Sequence, residues 1–212
     1  MISRAVLFDF DGTLADSAPD LAAALNRMRV RRGLEPLAVE ATRPYVSMGA
    51  RGMLRVGFDM TPEDAGYAAM REEFLALYAQ AICVHTRLMS GMREVLDELE
   101  RRAIAWGIVT NKAMRLTERI VPALGLAPAC VVGGDSTPHL KPHPAPLLLA
   151  ARKLDLAPAS CIYVGDDLRD IQAARAAGMR FIAVDYGYSG DAPAQWNADA
   201  TISHPSEILE HL

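Results

Sequence analysis

The chain has 212 residues, 51% of them apolar and 23% charged, with a formal net charge of −4. A chain of this length buries one good core, or one core and a small accessory domain, and its composition is that of an ordinary globular protein. The acidic balance argues against a nucleic-acid partner, which needs a basic face, and means that any anionic substrate must be met by positive charge built locally.

The first apolar run, Ala5–Phe8, reads as a strand buried on both faces. It is too short for a signal peptide or a bilayer span, so a cytoplasmic protein with no membrane partner is expected. Ser17-Ala18-Pro19-Asp20 then opens a helix with a hydroxyl cap and an early acid, followed by Leu21, Leu25 and Met28 at helical spacing. Thr61-Pro62-Glu63-Asp64 opens another, with Tyr67, Met70, Phe74, Leu77 and Tyr78 as its apolar stripe, which reads as core packing ahead of any cofactor box. Beyond this point strands and helices alternate. Helices are expected over Met92–Arg102, Ala113–Leu124, Ala145–Leu154 and Leu168–Ala177, the last ending at Gly178. Strands are expected at Ile104–Val109, Cys130–Val132, Cys161–Val164 and Phe181–Val184. Cys83, Cys130 and Cys161 are too scattered for a disulfide framework or a zinc site and read as reduced thiols.

This alternation predicts an α/β fold with a Rossmann-like, doubly wound parallel sheet. Roughly ninety residues separate the first two strands, whereas a crossover needs only a dozen or more. An all-helical cap over 15–84, inserted into a discontinuous core of 1–14 and 85–212 and joined by two linkers that can hinge, accounts for the excess.

Open α/β sheets bind ligands at the carboxyl ends of their strands. Here those ends carry Asp9 and Asp11, then Thr110-Asn111, then Lys141, then Gly165-Asp166-Asp167. Two acids leaving a buried strand within three residues repel unless a cation or a shared proton intervenes, and a few hard oxygens suit Mg²⁺. A calcium-binding EF-hand loop does not fit, because Gly12 falls at the fourth loop position instead of the sixth and the segment follows a strand. A dinucleotide-binding domain does not fit either, since no G-x-G-x-x-G follows the first strand.

Asp9-x-Asp11-Gly12-Thr13-Leu14-x-Asp16-Ser17 resembles the first motif of the haloacid dehalogenase superfamily of phosphatases. Val109-Thr110-Asn111-Lys112 resembles the second, Lys141-Pro142 the third and Gly165-Asp166-Asp167-Leu168-Arg169-Asp170 the fourth, in order and over essentially the whole chain. The resemblance implies a Mg²⁺-dependent phosphomonoesterase in which Asp9 is the nucleophile and forms an aspartyl-phosphate. Asp11 would be the general acid and base, and an aspartate there favours phosphoryl transfer over dehalogenation. Mg²⁺ would be held by Asp9, the Asp11 backbone carbonyl and Asp166. Thr110, Asn111 and Lys141 would hold phosphoryl oxygens. Asp170 would orient a metal-bound water or pair with Lys141. Asp167 and Arg169 read as a helix-start acid and a surface charge, with Asp167 a further candidate for the surroundings of the metal.

Within the superfamily the chain is similar to the phosphoglycolate phosphatase family. The Tyr186-Gly187-Tyr188 and Trp196-Asn197-Ala198-Asp199 stretches look more like the bacterial N-acetylmuramic acid 6-phosphate phosphatases. Both substrates join a phosphate monoester to a carboxylate. In the cap segment Ser47-Met48-Gly49-Ala50-Arg51, Arg51 either clamps that carboxylate, with Ser47 and Gly49 lining the loop, or is a solvated arginine at a plain helix start. The implied partner is a small phosphorylated metabolite bearing a carboxylate, acted on by a monomer or homodimer. The competing readings are a phosphosugar mutase of the β-phosphoglucomutase type and a non-catalytic binding protein on the same fold. His139 and His143 read as loop-packing residues and Trp196 as an anchor for the last loop.

Overall fold

A computed structural model describes residues 4–189 and 193–212. The strands are β1 (Ala5–Phe8), β2 (Ala15–Asp16), β3 (Arg87–Leu88), β4 (Ala105–Val109), β5 (Cys130–Val132), β6 (Cys161–Gly165), β7 (Arg180–Val184) and β8 (Ala200–Ile202). The α-helices are α1 (Ala18–Arg31), α2 (Val39–Thr42), α3 (Gly49–Phe58), α4 (Tyr67–Gln80), α5 (Met92–Arg101), α6 (Met114–Ala123), α7 (Ala145–Lys153) and α8 (Leu168–Ala177). The chain divides into two compact units, one running through Ala15 and resuming at Leu88–Leu212, the other Asp16–Arg87. The passages between them pair as the short strands β2 and β3.

The larger unit is a six-stranded, all-parallel sheet in the order β5-β4-β1-β6-β7-β8. Strand β1 lies at the centre because all four of its side chains are apolar and fully buried, as a strand covered by helices on both faces must be. Ala5 and Leu7 join Tyr163, Phe181 and Val132 in a core closed by α7 and α8. Val6, Phe8, Ile108, Ile162 and Val164 are buried as well. Each such large side chain contributes about 1.5–3 kcal/mol on leaving water. The strand order runs outward from β1 in both directions, so the reversal point, where such sheets open a ligand crevice, lies between β1 and β6. The sequence missed β8, which has only three residues, one of them exposed. Trp196 packs against the same core as α7 and α8.

The smaller unit is helical. The buried face of α1, Leu21, Leu25 and Met28, is matched by Met53 and Leu54 of α3 and by Phe74, Leu77 and Tyr78 of α4. Two expected helix starts need correction. Ser17 stands at the cap of α1, but its hydroxyl does not cap; the Ala18 amide donates to Asp16 Oδ1 at 3.3 Å. Thr61–Asp64 does not open α4. The Thr61 amide and hydroxyl donate to Asp64 Oδ2 at 2.7 and 3.1 Å, closing a local turn, and the helix begins at Tyr67 after Gly66 in left-handed backbone. Short polar side chains that bond nearby backbone compete with helix in this way. At the other end of the unit, buried Asp20 accepts from the Thr86 hydroxyl at 2.6 Å and from the His85 and Thr86 amides at 2.9 Å, pinning the first turn of α1 to the departing chain. Among the described residues all three cysteines are free, and no helix is long and apolar enough to cross a membrane.

Candidate active site

The carboxyl ends of β1, β4 and β6 gather most of the residues singled out from the sequence. Asp9 leaves β1 with its amide donating to Val164 O of β6 at 2.9 Å, so backbone pairing carries one residue past the strand and fixes the carboxylate at the crevice. Asp166 follows β6 and is fully buried, its carboxylate accepting from the Thr13 hydroxyl at 2.9 Å and from the Tyr188 amide at 2.8 Å. Asp170, one turn into α8, is also buried. The carboxylates of Asp9, Asp166 and Asp170 offer oxygens all within 4.8 Å of one another.

Glycines permit this crowding. A side chain at Gly12, whose φ is +88°, or at Gly187 would collide with the Asp166 carboxylate. Gly12 also needs its conformation, since L-residues rarely adopt that backbone.

Lys141 supplies the opposing charge. Its Nζ lies 2.8 Å from Asp9 Oδ1 and 2.7 Å from Asp170 Oδ1, with its side chain 3% exposed. The loop that brings it there is held by Asn111. The Asn111 Nδ2 donates to Lys141 O and the Lys141 amide donates to Asn111 Oδ1, both at 3.0 Å. The sequence reading gave this amide to the substrate; here both of its ends engage the Lys141 backbone. Thr110 is buried, and its Oγ1 accepts from the Lys112 amide at 3.1 Å. Asp11 takes a different direction from the cluster, with Oδ1 lying 3.1 Å from Lys112 Nζ.

Burial drives the Asp9 carboxyl up to about 7, with Asp170 and Asp11 adding to the effect and Lys141 opposing it. Asp166 is pushed well above the ordinary carboxylate value by burial and then by the charges of Asp9 and Asp170. Burial works against the Lys141 ammonium, but Asp170 and Asp9 outweigh it and hold its pKa above the usual lysine value. Three buried carboxylates against one buried ammonium leave an excess of negative charge that a divalent cation or shared protons must neutralise. An all-oxygen donor set of this kind suits Mg²⁺.

Asp167 is placed elsewhere. It caps α8, accepting from the Arg169 amide at 2.8 Å, and its carboxylate is forked by the Arg169 guanidinium at 2.8 and 2.7 Å. Burial raises its pKa, but Arg169 prevails and holds it below the usual value. The cap residues Ser47, Gly49 and Arg51 belong to the helical unit. Ser47 lies within the 3₁₀ turn Arg43–Met48, Gly49 follows that turn with φ +59°, and Arg51 is exposed in the first turn of α3. His139 and His143 stack on each other with ring centroids 4.3 Å apart, and His143 Nδ1 accepts from the Ala145 amide.

Sequence reasoning assigned no role to Thr13 or Lys112, although both stand inside quoted motifs, and it missed Tyr163. The signal for Tyr163 was a phenol in the middle of an apolar strand, since a buried hydroxyl needs a polar partner.

Fold and site together define an α/β protein that gathers buried carboxylates and a lysine at the crevice of its parallel sheet. The sequence profile of the haloacid dehalogenase-like hydrolases matches residues 6–184. An N-acetylmuramic acid 6-phosphate phosphatase of Pseudomonas putida is 46% identical over 209 residues, covering 97% of this chain and 94% of that protein. A phosphoglycolate phosphatase of Xanthomonas campestris pv. campestris is 45% identical over 211 residues, covering 98% and 95%. The crystal structure of a protein described as a predicted phosphoglycolate phosphatase from Haemophilus somnus superposes with a TM-score of 0.87 at 28% identity, covering 99% of this chain and 97% of that one. The chain belongs to the haloacid dehalogenase-like hydrolases, and it is an enzyme of that class.

Proposed function

We propose that this enzyme is a Mg²⁺-dependent phosphomonoesterase that works through an aspartyl-phosphate on Asp9. The observation that carries the reading is Asp9 itself, a carboxylate at the sheet's reversal point with Lys141 Nζ at 2.8 Å and oxygens of Asp166 and Asp170 within 4.8 Å. The matched relatives, named as phosphatases over nearly the whole chain, support the same chemistry.

Uncatalysed phosphate-monoester hydrolysis is slow enough that enzymes accelerate it by up to ~10²¹, so several effects must act together. Asp9 Oδ attacks phosphorus as the bond to the leaving oxygen breaks, and Asp11 gives that oxygen its proton. Asp11 then takes a proton from the water that attacks the phosphorus of the aspartyl-phosphate, and the Asp9 carboxylate and inorganic phosphate are released. Lys112 Nζ, 3.1 Å from Asp11 Oδ1, would help to fix the orientation of the Asp11 carboxyl. Lys141 and the Thr110 hydroxyl neutralise and orient phosphoryl oxygens. Mg²⁺, held by Asp9, Asp166 and the Asp11 backbone carbonyl, with Asp170 beside them, would supply further positive charge to those oxygens.

The substrate is a small phosphorylated metabolite carrying a carboxylate, phosphoglycolate or N-acetylmuramic acid 6-phosphate. The site of action is the cytoplasm. Phosphate release from a panel of both esters, β-glucose 1-phosphate and plain sugar phosphates, with Mg²⁺ and with chelator, tests the reading. Mg²⁺-dependent release that is strongest on one carboxylated ester is expected. No release from any ester by folded protein with Mg²⁺ present would sink it.

A further inference from the structure

The Lys141 ammonium has more partners than the hydrolytic roles use. Its Nζ is within reach of four oxygens: Tyr163 Oη at 2.6 Å, Asp170 Oδ1 at 2.7 Å, Asp9 Oδ1 at 2.8 Å and Val109 O at 3.2 Å. An ammonium has only three protons to donate. The Tyr163 hydroxyl has one, and its nearer acceptor is Val109 O at 2.8 Å, ahead of Asp170 Oδ1 at 3.2 Å. The Val109 carbonyl can accept from both groups, but at 3.2 Å it is the longest of the four contacts to Nζ, and the three shortest match the three protons: two carboxylates and the phenol oxygen. Tyr163 is fully buried, and burial followed by the Asp170 and Asp9 charges lifts its pKa well above the ordinary phenol value, so the hydroxyl stays neutral and keeps both roles. Its ring also lies under the ammonium, with Nζ 5.3 Å from the centroid, and packs beside Phe181 at 6.1 Å between centroids.

We propose that Tyr163 is a positioning residue for Lys141, its hydroxyl fixing the third ammonium proton so that the proton directed at Asp9 keeps one orientation as the phosphoryl group arrives. The inference rests on the phosphatase reading above for its kinetic consequence, but the contact itself does not. Without the hydroxyl, Val109 O, already 3.2 Å from Nζ, is the acceptor left for the third proton, and the ammonium turns further toward it. No buried group then lacks a partner, so the fold persists while the charge is misdirected. Groups that orient a reacting centre from behind are worth 10- to 100-fold in activity, and a shift of about 1 Å has a comparable cost.

Tyr163→Phe keeps the ring contacts and removes only the hydroxyl. Its kcat is expected to fall about 10- to 100-fold with KM changed less than about threefold and the melting temperature held within about 2 °C. In a Lys141→Met background the same substitution is expected to cost nothing further, because the effect acts through the lysine. A kcat within twofold of the native enzyme, or an equal loss in the Lys141→Met background, would overturn the proposal. The exchange rate of the Lys141 ammonium protons, read by ¹⁵N–¹H NMR without substrate, separates this outcome from failure of the phosphatase reading. It should rise at least about tenfold in Tyr163→Phe whatever the enzyme hydrolyses, and an unchanged rate would count against the contact.

Discussion

At the scale of single residues, the site is a problem in arranging like charges. Asp9 and Asp166 are both raised because burial and neighbouring carboxylates disfavour their charged forms. Asp9→Asn removes one of those charges together with the nucleophile. It should cut turnover by at least about 10³-fold while leaving the protein as stable as the native chain, or more so, at pH 8 without divalent ions; kinetics and thermal melts check both halves. Near-native activity in this variant would end the nucleophile assignment. One of the glycines that face the cluster makes a separate prediction. Gly12→Ala puts a methyl group into the Asp166 carboxylate at a φ of +88°. It should destabilise the protein by about 1–3 kcal/mol and raise the Mg²⁺ concentration needed for half-maximal activity, measured by denaturant melts and metal titration.

At the scale of elements, α8 connects catalysis to ordinary helix chemistry. Its N-terminus carries a reciprocal capping box: Asp167 accepts from the Arg169 amide, and the Asp167 amide donates to Asp170 Oδ2 at 3.1 Å. Asp170 therefore holds the helix start with one oxygen and Lys141 with the other. Asp167 caps the helix and pairs with Arg169. Asp167→Ala should cost about 1 kcal/mol, a fall of about 2–4 °C in melting temperature, and leave the Mg²⁺ activation constant unchanged. A tenfold weaker Mg²⁺ response would instead place Asp167 at the metal. The start of this helix was legible because an acid followed a strand and preceded an apolar periodic run ending at Gly178, and the structure caps it there with φ +72°. The start of α4 was misread for a local reason, since the Asp64 carboxylate turns back onto Thr61 and no apolar periodicity can signal such a bond.

At the scale of the whole molecule, the raised carboxyls couple stability to pH and to metal. A group whose folded pKa exceeds its unfolded value stabilises the fold at low pH and loses that contribution as pH rises through the folded value. For Asp9 the window runs from 3.8 to about 7, and Asp166 acts in the same direction. The metal-free protein should therefore lose stability from these groups between about pH 4 and 7. A bound cation favours the ionised carboxylates and should restore it at neutral and higher pH. At about 100-fold over Kd, Mg²⁺ should stabilise by about 2.7 kcal/mol, raising the melting temperature about 5–10 °C at pH 8 and much less at pH 5. Thermal melts with Mg²⁺ and with chelator check this, and equal shifts at both pH values would contradict it.

The sequence by itself determined the strands that are apolar on both faces, the helices with a periodic apolar face, and the placing of Asp9, Thr110 and Asp166 directly after strands. Those features are local: a strand or helix is written in the spacing of its own residues, and a strand end is one residue further on. Only the tertiary structure decided which of those ends meet. The order β5-β4-β1-β6-β7-β8 sets β1 beside β6, and so Asp9 beside Asp166. It also decided what each side chain does on arrival. Asn111, read as a substrate ligand, clasps the Lys141 backbone, while Tyr163, read as part of a strand, sits against the Lys141 ammonium. Hydrogen bonds and charge pairs between residues 22 to 153 positions apart leave no periodicity in the chain, so their partners become readable only once packing has brought them within 3 Å or so.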